Sequence, residues 1–483
     1  MESWCKVQGR RSLVRLGKYE LYWRADMVRD RDFYLTILRI ALPIALQSFL
    51  SFFVVIADDI MVSSTVHGLF AQAAVAQINS ITALFTATLT GLVAGSSVLI
   101  AQYWGKQDLE RIKRIFALVM WICLSLSMVV VAVMKLFPEA MVGIVISRND
   151  VQITNLALTY FGIICFSYIP FAISTALVGM LRTIEVVRVT AYAALFTLVV
   201  NIGLNYILIF GKLGFPALGV QGAAIATLVA RIAEMVFVGI YAFCVQKKIA
   251  LKLRDFFVMD KTLLKDYCFY GLPVGITDAQ WALIGMLKAA IIGQMGGVFM
   301  ASNSIANSMA NLGTLFTFGL AGGAAVVVGK AVGRGDYETA KEYSKTIQIM
   351  FLGVGLFMAG LVFLFRVPFV SLYGSASNPE VFNLSVTLIT IVAVTMIGTT
   401  YHASCFVGIN RGAGDSRFVA LVDMICGWFV VLPLTLLAAF VWNVSLPLVF
   451  LATRIDQTFK WIIALIRLRG DKWIKNVTRD FPA

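Results

Sequence analysis

Leu42-Pro43 opens an apolar stretch that runs through Ala57-Asp58-Asp59-Ile60-Met61-Val62, and Leu272-Pro273 opens another 230 residues later. The echo continues in register. Gly91-Leu-Val-Ala-Gly95 leads to Gly105-Lys-Gln-Asp108, as Gly319-Leu-Ala-Gly-Gly323 leads to Gly333-Arg-Gly-Asp336. Gly179-Met-Leu-Arg182, followed by Arg188, returns as Gly408-Ile-Asn-Arg411, followed by Arg417. Three anchors at offsets of 228 to 230 residues define an internal repeat.

The sequence around these anchors is too apolar for a soluble fold. Of 483 residues, 60% are hydrophobic and 14% charged, with a mean hydropathy of +0.86; an ordinary globular domain is about 25% charged. The apolar residues fall into twelve blocks, near 34–63, 71–103, 115–137, 155–181, 188–211, 219–246, 266–295, 300–332, 343–372, 380–410, 416–440 and 445–469. Each is long enough to cross a hydrocarbon core about 30 Å thick. In lipid each must satisfy its own backbone hydrogen bonds, so each is read as a helix. Uniformly apolar blocks lack the alternation of a barrel strand. The expected fold is an all-α polytopic membrane protein of twelve transmembrane helices.

The net charge of +14 reflects topology and not nucleic-acid binding. Thirty-two of the forty Lys and Arg lie in the N-terminal segment through Arg39, at the loops after helices 2, 4, 6, 8 and 10, and at the C-terminal end. Only Lys135, Arg148, Lys212 and Arg366 lie on the other side. Positive charge marks the cytoplasmic face, so both termini are expected there, in a multi-pass protein of the cell membrane. Six helices separate matching anchors, an even number, so the two six-helix repeats are parallel, a pattern of secondary transporters. The expected organisation is a basic segment 1–33, a first lobe 34–246, a linker 247–265, a second lobe 266–469 and a tail 470–483.

Enzymatic chemistry finds little footing. The seven cysteines show no paired spacing, and the two histidines, His67 and His402, cannot build a multi-histidine metal centre. The run Gly319–Gly323 lacks a Walker lysine and reads as a surface for close helix approach. No cofactor is expected.

Leu42-Pro43 with Asp58 in helix 1, Ala101-Gln102-Tyr103-Trp104-Gly105 after helix 2, Asn201-Ile-Gly-Leu-Asn205-Tyr206 in helix 5 and Gly222-Ala-Ala-Ile-Ala-Thr227 in helix 6 resemble the multidrug and toxic compound extrusion (MATE) family. The resemblance covers about residues 34–475. It implies a secondary active antiporter, not an enzyme, with two bundles around a central cleft. Such a protein exports organic, often cationic, compounds in exchange for Na⁺ or H⁺. A lipid-linked saccharide flippase of the same superfamily is the alternative, and a membrane-embedded enzyme a remote one. The expected partners are a small organic substrate and membrane lipid, and a monomer is expected.

Acids inside the membrane are costly and mark function. Asp58 lies in the outer half of helix 1. Asn201 and Asn205, one turn apart on helix 5, and Thr227 on helix 6 reach a similar depth. Together they form an oxygen-rich cluster suited to a hard cation, Na⁺ included. The resemblance places the family's first-lobe cation site at Asp58 and the polar helix-5 positions. Many relatives carry Asp where this chain has Asn205. Asp59 points about 100° away from Asp58, toward the cleft or a helix contact. Asp278, near mid-membrane on helix 7, Trp281, three residues later, and Lys288 are candidates for the substrate cleft. Lys288 stands fifteen residues after Pro273, as Asp58 stands after Pro43. The helix-5 asparagines map to Val430 and Leu434. The second lobe therefore lacks a cation site, and one coupling cation per cycle is expected. Arg231 with Glu234, and Asp456 with Lys460, are spaced to pair on one helix face, and Asp423, about two turns into helix 11, is expected to cap the cytoplasmic mouth.

Overall fold

The computed structural model describes residues 28, 30–64, 68–145, 151–257, 260–372, 378–442 and 444–479. The basic segment up to Met27, His67 and Arg148 lie outside the described residues, as does the side chain of Asp59. The described chain is helical, with no strand. Its spans are α1 (Arg31–Ser63), α2 (Gly68–Lys106), α3 (Leu109–Leu136), α4 (Ile153–Thr183), α5 (Arg188–Phe210) and α6 (Val220–Val245). The second half holds α7 (Leu272–Gly293), α8 (Gly297–Gly333), α9 (Tyr337–Leu372), α10 (Pro379–Arg411), α11 (Ser416–Val441) and α12 (Asp456–Leu468).

Ten of these are each long and apolar enough to cross a membrane. The other two are α7 and α12. The first carries Asp278 and Lys288. The second is the end of a span that begins at Leu446–Ala452 and breaks at residues 453–455. The twelve spans, in two halves of six, make the polytopic fold that the repeat implies.

The repeated Gly-x-x-Asp anchors are turns with a defined geometry. Gln107 and Gly335 occupy left-handed backbone, at φ of 62° and 79°. The aspartates that follow them cap the next helices. Asp108 accepts from the Arg111 amide at 3.1 Å and Asp336 from the Thr339 amide at 3.2 Å, which satisfies amide groups a helix start leaves free.

Small residues set how closely helices from the two halves approach. A Cβ on Gly95 would lie 2.2 Å from the Gly271 carbonyl oxygen, and one on Gly333 would lie 2.0 Å from that of Gln102. On Gly319 and Gly323 a Cβ would meet the backbone oxygens of Ala41 and Ile37 at 3.0 and 3.1 Å. Helices α1 and α2 therefore pack against α7 and α8 through backbone, as small-residue interfaces in membranes do. These close contacts gather toward the end of the molecule that carries the basic loops, here called the basic face.

Candidate ion and substrate site

Helix α5 ends at Gly211, whose φ of +65° provides a left-handed cap. The chain turns there and returns as α6, which packs closely because Gly222 has no side chain: a Cβ would lie 2.7 Å from the Leu208 carbonyl. This brings Thr227 to Asn201. The Asn201 Nδ2 donates to Thr227 Oγ1 at 3.4 Å, and the Asn205 Nδ2 donates to Asn201 Oδ1 at 3.2 Å. Asn205 Nδ2 also donates to Asp58 Oδ1, which joins α1 to the pair.

Asn201 and Asn205 are buried, at 1% and 0% exposure. The Asn205 Oδ1 is buried without a hydrogen-bond partner, an arrangement that native structures rarely tolerate. A carboxylate, two amide oxygens and a hydroxyl thus converge from three helices. Oxygens of this kind suit a hard monovalent cation, and the carboxylate suits a proton.

Asp58, Asn201 and Thr227 border a cavity of about 860 Å³. Its walls come from α1, α2, α4, α5 and α6, with Phe318, Gly322, Ala325 and Val326 of α8 and Val407 and Arg411 of α10. Tyr160, Tyr168 and Phe171 supply aromatic surface. The cavity is mostly a first-lobe chamber, with α8 and α10 closing one side. Helix α7 contributes no residue to its described lining.

Four further charged groups line this chamber. Arg231 and Glu234 pair at 2.9 Å, as their spacing suggests, and the Arg231 guanidinium lies 4.8 Å from the Phe171 ring centre. Arg411 pairs with Asp278 at 3.1 Å. Arg182 donates to Gln47 Oε1. Sequence reading assigns Arg182 and Arg411 only to the count of basic loop residues. Their recurrence in the repeat was the available signal.

The remaining candidates lie elsewhere. Asp278 holds Arg411 and packs its Cβ against Gly91. Trp281 lies under two ammonium groups, Lys460 at 4.3 Å and Lys288 at 5.9 Å from its ring centre. Lys288 donates to the Thr453 carbonyl at 3.3 Å, inside the second lobe. Asp423 does not cap a mouth. It is 7% exposed and lies 2.8 Å from Lys460, which also meets Asp456 at 3.0 Å. The interhelical contact outweighs depth, because two buried carboxylates need a shared cation. His402 Nδ1 pairs with the Gly398 carbonyl at 3.0 Å.

On the basic face below the chamber the halves are fastened together. Lys330 pairs with Glu185, and Arg334 Nε donates to the Gly105 carbonyl at 3.4 Å. The C-terminal tail crosses this junction. Asn476 Nδ2 donates to the Val332 carbonyl at 3.1 Å, and Arg479 pairs with Asp266.

Comparison with known proteins agrees with this architecture. The MatE family model matches residues 43–207 and again 273–437, one match in each half. The "Probable multidrug resistance protein NorM" of Streptococcus pneumoniae is 24% identical over 410 residues, covering 84% of this chain and 88% of that protein. The protein of the same name from Agrobacterium fabrum is 26% identical over 73% of this chain and 74% of its own. Among solved structures, the "Outward-facing conformation of a multidrug resistance MATE family transporter of the MOP superfamily" superposes with a TM-score of 0.80 at 20% identity, covering 92% and 96% of the two chains.

Proposed function

Because the chain belongs to the MatE family, we propose that it is a secondary active antiporter that exports organic compounds across the cell membrane in exchange for Na⁺ or H⁺. The observation that carries this reading is the linkage of Asp58 through Asn205 and Asn201 to Thr227 at the wall of the large chamber. A coupling ion must bind where its arrival is felt by the substrate chamber. A carboxylate at the chamber wall meets that condition.

Ion binding at this cluster neutralises a carboxylate that three helices share. The cation would take oxygens from Asp58, Asn201, Asn205 and Thr227, and a proton would take Asp58 alone. Either changes the attraction between α1 and α5, and with it the balance between conformations, by as much as the ion prefers one of them. Positive-inside orientation puts the basic face in the cytoplasm. The fastened junction then seals the cytoplasmic side, and the conformation is outward-facing.

The test is efflux from proteoliposomes. A fluorescent organic substrate should move against its gradient only when Na⁺ or H⁺ is allowed to run inward. Equal transport with and without either gradient would overturn antiport. Transport that requires a lipid-linked sugar would favour the flippase.

A further inference from the structure

The chamber contains two arginines at equivalent places in the repeat, Arg182 at the end of α4 and Arg411 at the end of α10. They are partnered differently. Arg411, 9% exposed, has a carboxylate of its own lobe, Asp278 Oδ1, at 3.1 Å. The first-lobe position 230 residues before Asp278 is Ser48. Arg182 therefore meets no acid at the corresponding place. Its Nη2 donates to the neutral Gln47 next door; its Nε, like that of Arg411, is buried with no hydrogen-bond partner. Among the described residues Arg182 forms no ion pair. The other chamber acids are engaged elsewhere: Asp58 by Asn205, and Glu234, whose charge also reaches Arg182 from a distance, by Arg231.

A guanidinium cannot shed its proton to escape this situation. An ion partly withdrawn from water is stabilised by an opposite charge close by. The second lobe supplies one internally, and the first lobe leaves the place to whatever enters the chamber. We propose that Arg182 is the docking point for an acidic group of the transported compound, a carboxylate, sulfonate or phosphate. The part of the guanidinium that lines the chamber gives that group a directed, charge-assisted hydrogen bond. The apolar part of the compound then rests on Tyr168, Phe171 and Phe318, which line the same chamber.

This rests on reading the chamber as the substrate site, and it replaces the expectation of a simple organic cation. Acidic substrate and coupling cation attract each other, so their exchange follows from the conformational cycle and not from charge repulsion inside one state.

The test is equilibrium binding to the purified protein in lipid nanodiscs, with no ion gradient, by fluorescence anisotropy. Fluorescein and rhodamine 6G share a xanthene frame, and only fluorescein offers a free acid. Arg182→Gln should weaken fluorescein by about tenfold or more, the usual cost of a lost charge-assisted bond, and should leave rhodamine 6G unchanged or tighter. Ser48→Asp keeps Arg182 and supplies the carboxylate that the second lobe already has. It should produce the same loss, which covers the case in which Arg182→Gln does not fold. Wild-type protein that binds rhodamine 6G but not fluorescein would overturn the proposal. So would fluorescein binding that Ser48→Asp leaves unchanged. If fluorescein binding depends on Arg182 while gradient-driven efflux is never found, the docking site stands and the antiport reading fails.

Discussion

The side-chain carbonyl of Gln102 accepts a 2.7 Å hydrogen bond from the Val477 amide, which fastens α2 to the C-terminal tail. The other end of the same amide donates to the Lys475 carbonyl at 3.1 Å and to Gly412 at 3.4 Å. Gln102 is fully buried, and Val477 is buried beside it. One side chain therefore holds the first half, the second half and the tail together. Gln102→Leu removes all three bonds, each worth about 1 kcal/mol, without a large change in volume. The expected outcome is a looser junction. A cysteine placed at Ser97 on the chamber wall should become more reactive toward an impermeant maleimide added from the basic face. Unchanged labelling would show that the tail does not hold the junction shut.

Asp58→Asn tests the ion site with little disturbance of packing. The new amide oxygen can still accept from Asn205, and a neutral amide is cheaper to bury than a charge. Thermal stability should therefore change by no more than about 1 kcal/mol, while gradient-driven efflux is abolished. The same variant should lose Na⁺ binding by calorimetry, or lose the proton uptake that accompanies substrate release. Export at the wild-type rate would remove this site from the mechanism.

Lys460 is held by Asp423 from α11 and Asp456 from its own helix, and both Lys460 and Asp456 are 1% exposed. Removing one member of such a cluster leaves a buried charge without compensation, at a cost of about 3–5 kcal/mol. Lys460→Met should lower the melting temperature markedly. The triple variant Asp423→Asn, Asp456→Asn, Lys460→Met removes all three charges of the cluster together and should recover most of the loss. A single variant as stable as wild type would show that the cluster is dispensable.

The sequence exposes the fold because its constraints are local. A span must be apolar along its whole length, and repeated glycines must sit where backbones touch, as Gly95, Gly319 and Gly333 do. The depth of Asp58, Asn201, Asn205 and Thr227 also follows from counting residues along each helix, and the hydrogen bonds join them in space. Contacts across helices are less legible. Asp423 reads as a group near the mouth because its depth is visible and its partner on α12 is not. Arg182 and Arg411 read as loop charges because their backbone lies near the basic face, while their long side chains reach into the chamber. The break between Ala452 and Asp456 is likewise hidden in an apolar block, although its free carbonyl at Thr453 is what receives Lys288.

The final prediction concerns the asymmetry between the lobes. Lys288 occupies the repeat position of Asp58, and Val430 and Leu434 occupy those of the two asparagines. The second lobe thus has neither the acid nor the amide oxygens of a cation site at that place. Its ammonium group donates to the Thr453 carbonyl, and a second ammonium, Lys460, lies over the same Trp281 ring. Lys460 is compensated by Asp423 and Asp456, so the Lys288 ammonium is the charge that repels a further cation there in a medium of low dielectric constant. One coupling cation per cycle is therefore expected, bound in the first lobe. Lys288→Ala should leave the stoichiometry at one, because Lys460 still occupies Asp423 and Asp456 and no new oxygen cluster is created. Lys288→Asp restores an acid at the Asp58-equivalent position and should permit at most a weak second site. Equilibrium Na⁺ binding, or proton counting during transport, measures both. Cation binding that survives Asp58→Asn but disappears when second-lobe residues are changed would place the coupling site in the other half.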